Sequence, residues 1–225
     1  MQPNRDHLKR FGRDWLKPVS FWLLASPGLW LGWQWWGLLS GGSHTLGFNP
    51  IETTHRFLGD TALRVLILSL AITPFRDLTR WSPIMKIRRR VGLAAFWYAL
   101  LHLLAYMGLD LLIAAQGSFA GMFAGLWSDI VERIYITLGM LAICGLVPLA
   151  LTSFNSSIRV LGAKLWQRLH LSVYPIATLA VFHYGFMVKG HQLGPWIHGA
   201  ALSVLLLYRV ARWAMRYRDR KRVEA

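Results

Sequence analysis

Residues 91–115 read V-G-L-A-A-F-W-Y-A-L-L-H-L-L-A-Y-M-G-L-D-L-L-I-A-A, directly after I-R-R-R at 87–90. The run is longer than the about 20 apolar residues a membrane helix needs. It holds one histidine, His102, and one acid, Asp110, and it starts on three arginines. Working outward, five further apolar blocks lie at 19–39, 61–75, 134–151, 169–188 and 194–211. The block at 61–75 is short for a span, and it extends outward through His55, Phe57 and Leu58. The block at 194–211 is short as well. Pro27, Pro148 and Pro175 fall within or near these helices, where membrane helices accept them as kinks. The expected fold class is therefore an all-α integral membrane protein, a bundle of six transmembrane helices.

Charge orients the bundle. The gaps at 1–18, 76–90, 152–168 and 212–225 are basic. The alternate gaps at 40–60, 116–133 and 189–193 hold only Arg56, Arg133 and Lys189, and they collect Glu52, Asp60, Asp129 and Glu132. Positively charged loops stay cytoplasmic, so both termini are expected in the cytoplasm. An even number of spans requires the same. The expected organisation is a basic cytoplasmic segment at 1–18, a membrane domain at 19–211 and a basic cytoplasmic tail at 212–225. The N-terminal pattern resembles a signal peptide, but its apolar run continues to Leu39 with no clean cleavage site, so it reads as the first span.

Composition excludes several classes. Of 225 residues, 55% are apolar and only 16% charged, whereas soluble domains carry near a quarter charged residues. The net charge of +15 sits in the gaps between apolar blocks, which fits topology better than nucleic-acid binding. The 12 tryptophans suit membrane–water interfaces. The single cysteine, Cys144, allows no internal disulfide, and no C-x-x-C-H motif for covalent haem occurs. Neither a G-x-G-x-x-G nor a Walker motif is present, which argues against nicotinamide dinucleotide binding.

Chemistry points to the histidines. Of eight, only His102, His170 and His183 lie in or at the mouth of apolar blocks. A histidine within a membrane can serve as interhelical glue, or mark a functional site. His102 lies about 18 Å along a helix beyond Arg90, and His183 about 22 Å beyond Arg168. The two share a depth on helices that both run outward. Two neutral imidazoles at one depth can hold a haem iron from both sides. Phe96, Trp97, Tyr98, Tyr106, Phe182 and Tyr184 are the expected aromatic wall. His170 lies near the cytoplasmic end, where it could serve a second haem, help bind a flavin or cap its helix. Arg88, Arg89 and Arg90 read as a topology signal, and equally as partners for haem propionates or a flavin phosphate. A transporter using histidines as proton relays, or a docking anchor, remain alternatives. With Asp110 as the one acid near a span interior, a pump is disfavoured.

Several stretches resemble the MsrQ (formerly YedZ) family, haem-binding membrane subunits within the ferric-reductase-like transmembrane group. They are H-R-F-L-G-D-T-A-L-R at 55–64, I-T-P-F-R at 72–76, I-R-R-R-V-G-L at 87–93, L-L-H-L-L-A-Y at 100–106, W-Q-R-L-H-L-S-V-Y at 166–174 and H-Y at 183–184. The resemblance implies a multi-pass protein of the bacterial inner membrane that binds haem b, one or two per chain, and is associated with FMN. It implies His102, His170 and His183 as the haem-linked histidines. It also implies an electron-transfer subunit, the reductase activity residing in a partner. That partner is MsrP, a periplasmic molybdopterin enzyme that reduces methionine sulfoxide in oxidised proteins. No flavin–nicotinamide domain is fused here, so quinol or a separate cytoplasmic flavin reductase is the implied donor.

Overall fold

The computed structural model describes residues 14–188, 190 and 192–224. Most of the basic N-terminal segment, together with Lys189 and His191, lies outside the described residues. Every regular element among the described residues is helical. In chain order they are α1 (Leu16–Leu39), α2 (Pro50–Thr79), a short 3-10 turn (Ser82–Lys86) and α3 (Arg88–Ala105). Helix α3 runs on through a π-turn (Tyr106–Leu111) to Leu112–Ala114. There follow α4 (Phe119–Glu132), α5 (Ile134–Leu151), α6 (Asn155–Leu161), α7 (Ala163–Leu171), α8 (Val173–Met187) and α9 (Leu193–Glu224).

Four helices are long and apolar enough to cross a membrane: Pro50–Thr79, Arg88–Ala114, Ile134–Leu151 and Leu193–Asp219. The other two expected spans correspond to α1 and α8. Helix α1 has 24 residues, but five of them are tryptophan and others are Gln, Ser and Gly, which depress its mean hydropathy. Helix α8 has only 15 residues, because the expected continuous helix over 169–188 is broken at Ser172. The physical cause is Pro175, which has no N–H to give to the Leu171 carbonyl one turn earlier. His170 and His183 therefore sit on separate helices.

Helix α2 is twice the length of its apolar block. Asn49 caps it, accepting a 3.1 Å hydrogen bond from the Glu52 amide, and Pro50 occupies the first turn, where a missing N–H costs nothing. The helix stops at Arg80, which adopts φ 55°. This early start places His55 and Gly59 on the helix itself. Helix α9 likewise runs beyond its apolar block, through the basic tail.

Helix α2 packs along α3 and α5 along α8, with α3 against α5 joining the pairs. Val65, Leu66 and Leu70 of α2, Val91 and Ala95 of α3, Leu146 and Leu149 of α5, and Ile176 and Ala177 of α8 form the main core. Elsewhere large apolar side chains point outward, among them Trp22, Trp33 and Trp36 of α1 and Val204 and Leu207 of α9. Water would penalise so many exposed apolar groups, whereas lipid hydrocarbon accepts them.

Proline leaves carbonyls without donors, and side chains supply the replacements. Pro27 deprives the Leu23 carbonyl of its helical partner, and Ser26 Oγ donates to it at 3.0 Å. One residue on, the Tyr98 hydroxyl enters the α1 ladder. It donates to the Leu24 carbonyl at 2.6 Å and accepts from the Gly28 amide at 3.0 Å. Pro74 deprives the Leu70 carbonyl, to which Arg209 of α9 donates at 2.8 Å. In an apolar medium each such group would otherwise stand desolvated and unpaired.

Candidate cofactor site

Helices α2, α3, α5 and α8 enclose a cavity of about 930 Å³. Apolar side chains such as Leu66, Ala99, Leu103, Ile143 and Ala180 line it, together with three histidines, His55, His102 and His183. The imidazoles of His102 and His183 lie with ring centroids 6.2 Å apart and planes at 74°. Each has one nitrogen committed to backbone. His102 Nδ1 lies 3.1 Å from the His55 carbonyl, and His183 Nδ1 lies 2.5 Å from the Tyr135 carbonyl. A carbonyl can only accept, so both Nδ1 atoms carry the proton. Each Nε2 is then an unprotonated donor atom, the arrangement typical of metal-binding histidine. A metal held at about 2 Å by two opposed Nε2 atoms requires ring centroids about 6 Å apart. The pair fits a haem iron between them on both counts.

Glycine makes the approach possible. A Cβ at Gly139 would fall 2.8 Å from His183 Nδ1, and one at Gly59 would fall 3.2 Å from His102 Cε1. Each glycine lies on the helix facing its histidine, so any larger residue would push the imidazole into the cavity.

The wall differs from the expected one. Of the six expected aromatics, only Tyr106 and Tyr184 line the cavity. Trp97 and Phe182 project outward, more than half exposed, Phe96 packs against the main core, and Tyr98 is committed to α1. The cavity face of α3 follows His102 in steps of three and four, which selects Ala95, Ala99, Leu103 and Tyr106 instead.

His55, expected at the outer end of the second span and not among the candidate site residues, is the residue the linear reading missed. It is only 8% exposed, its ring lies 6.1 Å from that of His102, and its Nε2 is 2.8 Å from an Asp110 carboxylate oxygen. The π-turn explains Asp110. Four residues of α-helix advance about 40° beyond a full turn, whereas four in a π-turn, at about 4.4 residues per turn, fall short by about 30°. The turn thus returns Asp110 to the line of His102, above His55. Nearby, the Tyr106 hydroxyl donates to Asp129, which pairs with Arg133 at 3.1 Å. The spacing of four between His55 and Gly59 was the available signal, since it sets both on one helix face.

His170 stands apart from the cavity. On α7 it stacks on Trp166 with centroids 3.9 Å apart, its Nδ1 lies 3.1 Å from the Trp166 carbonyl, and its Nε2 is buried without a partner. The three arginines separate as well. Arg89 donates to Asn155 Oδ1 at 2.6 Å, and Arg90 donates to the Lys17 carbonyl and, at 3.1 Å, to Ser20 Oγ. Arg88 and Arg89 both lie within electrostatic range of His170, and Arg88 also of Tyr174 and Arg209. No group of three or more His, Cys, Asp or Glu suited to a bare metal ion occurs among the described residues.

Residues 58–181 match the family described as "Ferric reductase like transmembrane component". Over 210 residues, 93% of each chain, the sequence is 42% identical to the protein-methionine-sulfoxide reductase heme-binding subunit MsrQ of Caulobacter vibrioides. The chain belongs to the MsrQ family. The MsrQ protein of Rhodospirillum rubrum is 45% identical over 77% of this chain and 80% of its own length. The magnetosome protein MamZ of Paramagnetospirillum magneticum is 38% identical over 92% of this chain, which spans only 31% of that protein. The matched family region contains Gly59, His102, Gly139 and His170, and stops two residues before His183. As an MsrQ-family member the chain is a multi-pass membrane protein, in accord with its four long apolar helices.

Proposed function

We propose that this chain is the haem b-binding, electron-transferring subunit of a methionine-sulfoxide reductase system, in which His102 and His183 would hold the iron of one haem. The observation that carries the reading is the close imidazole pair, each with Nδ1 anchored on a backbone carbonyl, lining an apolar cavity. Bound there, haem would supply a one-electron couple. The chain's own residues hold the imidazoles in the ligating tautomer, and the carbonyls raise their basicity. Gly59 and Gly139 set how close the rings stand to the neighbouring helices. The aliphatic wall keeps water from the site.

On this reading six helices, α1 and α8 included, cross the bacterial inner membrane with both termini cytoplasmic. Electrons pass from quinol or a cytoplasmic flavin reductase to a periplasmic partner, the molybdopterin reductase MsrP. The chain itself then needs no substrate-reducing site. His170 serves at the cytoplasmic side, with a second haem or with FMN. Arg88, Arg89 and Arg90 meet a cofactor anion there, and Arg89 and Arg90 also hold α6 and α1.

The visible spectrum of the purified protein tests the proposal. A Soret band that shifts on dithionite reduction is expected, absent from His102→Ala and from His183→Ala. A colourless preparation rejects the haem reading. Full haem in both variants rejects the ligand pair.

A further inference from the structure

The cavity changes chemistry along its length. Gly59 against His102 and Gly139 against His183 mark one level in it, and helical rise gives every other lining residue a depth from that level. Toward the Arg88 end, every lining residue more than two positions from the level is apolar. Leu66, Ala95 and Leu146 each lie seven residues away, about 10 Å along their helices. The other half carries the polar groups, among them Asn49, Glu52, His55, Arg56, Asp110 and Arg133.

Two guanidinium groups open onto that polar half from separate helices. Arg56 of α2 lies three residues from Gly59, about 4.5 Å along the axis, and Arg133, at the start of α5, six residues from Gly139, about 9 Å. Arg56 gives Nε to Glu52 at 2.9 Å, with Nη2 at 2.7 Å from the same oxygen, and Arg133 Nε lies 3.1 Å from Asp129. A guanidinium has five N–H donors, so these pairs leave Nη1 of both arginines able to reach a further acceptor. The lining carboxylates are engaged elsewhere: Asp60 with Arg64 at 3.2 Å and Asp110 with His55 at 2.8 Å.

A haem is amphipathic from edge to edge, with methyl and vinyl groups on one side and two propionate carboxylates on the other. In the apolar half of the cavity those carboxylates would be desolvated without a partner. We infer that Arg56 and Arg133 bind the propionates of the haem held by His102 and His183, so that its apolar edge points toward Leu66, Ala95 and Leu146. The inference rests on the haem reading proposed above, and not on which side of the membrane the polar end faces. It moves the propionate role for this haem from the arginines at 88–90 to two residues that share a cavity with the imidazoles.

The test uses the purified, haem-loaded protein. Haem loss to excess apomyoglobin is followed by the Soret band. Arg56→Gln and Arg133→Gln should each release haem faster by roughly three- to tenfold, a modest effect because both groups are half-exposed. Arg56→Lys and Arg133→Lys keep the charge and should lose less. Arg64→Gln, which breaks a similar exposed ion pair on α2 but does not line the cavity, should release haem as wild type does. A second readout separates propionate binding from a general loosening of the helices. In redox-difference infrared spectra of protein carrying haem isotope-labelled at the propionate carboxylates, the label-sensitive bands should shift in Arg56→Gln and Arg133→Gln. Wild-type release and unmoved bands in both variants overturn the inference. So does faster release with unmoved bands, since the arginines would then only brace α2 and α5. Bands that respond to Arg88→Gln instead would place the propionates at the other end, and overturn it as well. A wild type without a Soret band rejects the haem proposal and this inference with it, whereas a wild type that holds haem confines any failure to the two arginines.

Discussion

Gly139 and His183 form a contact that leaves no room for a methyl group. An added Cβ would stand 2.8 Å from the imidazole, whereas at Gly59 the corresponding distance to His102 is 3.2 Å. Gly139→Ala must therefore displace the ring or the helix, an overpacking strain of about 1–3 kcal/mol. The expected outcome is a clear loss of haem per protein, read as the ratio of Soret to 280 nm absorbance. Gly59→Ala should lose less. Full occupancy with an unchanged spectrum in Gly139→Ala would mean that His183 is not held where it is needed. At this scale the sequence was partly legible. His102 and His183 stand out because histidine is rare among apolar residues, and their common depth follows from helical rise. His55 did not stand out, because it lies outside the apolar block, at the outer end of the span already extended through it from the sequence; only packing brings it beside His102. The aromatic wall failed for a related reason. Aromatic residues near a site in sequence need not face it, and a helix presents only every third or fourth side chain inward.

Proline frees carbonyls within the continuous helices α1 and α2 and breaks the chain's helix at Ser172, and these sites are put to use. Tyr98 bridges the α1 ladder beside Pro27 and joins α1 to α3. Tyr98→Phe removes both bonds, but the Gly28 amide can then return to the Leu24 carbonyl. The loss should be at the low end for a buried hydrogen bond, about 1 kcal/mol. It should appear as a lower melting temperature in detergent with the haem spectrum unchanged; an altered spectrum would show that α1 positions the site after all. The break at Ser172 sets His170 on a helix of its own, stacked on Trp166. The π-turn returns Asp110 to His55. Proline is visible in a sequence, so kinks were foreseeable, but their direction was not. The π-turn had no signal in the sequence; it begins at Tyr106, whose hydroxyl donates to Asp129 on α4.

Across the whole molecule, the alternation of basic and acidic gaps makes a topological prediction. In a Cys144→Ala background, Ser43→Cys should react with an impermeant thiol reagent added to intact spheroplasts, and Ser156→Cys only after lysis. Both positions are exposed, so access turns on the side of the membrane alone. Labelling of Ser156→Cys in intact spheroplasts would invert the orientation and with it the direction of electron flow. What the sequence by itself determined was that the chain is helical and built for lipid, which way its charges favour lying, and which two histidines share a depth. Those follow from composition, helical rise and the cost of charge in hydrocarbon, all of which are local or additive along the chain. The tertiary structure alone decided that the His102 and His183 rings stand 6.2 Å apart with Nδ1 bound to backbone, and that two glycines admit them. That approach depends on how four helices rotate about their axes as they pack. That rotation is set by side chains far apart in sequence, among them the Ile176 that packs over Gly145 and the Tyr98 that ties α3 to α1.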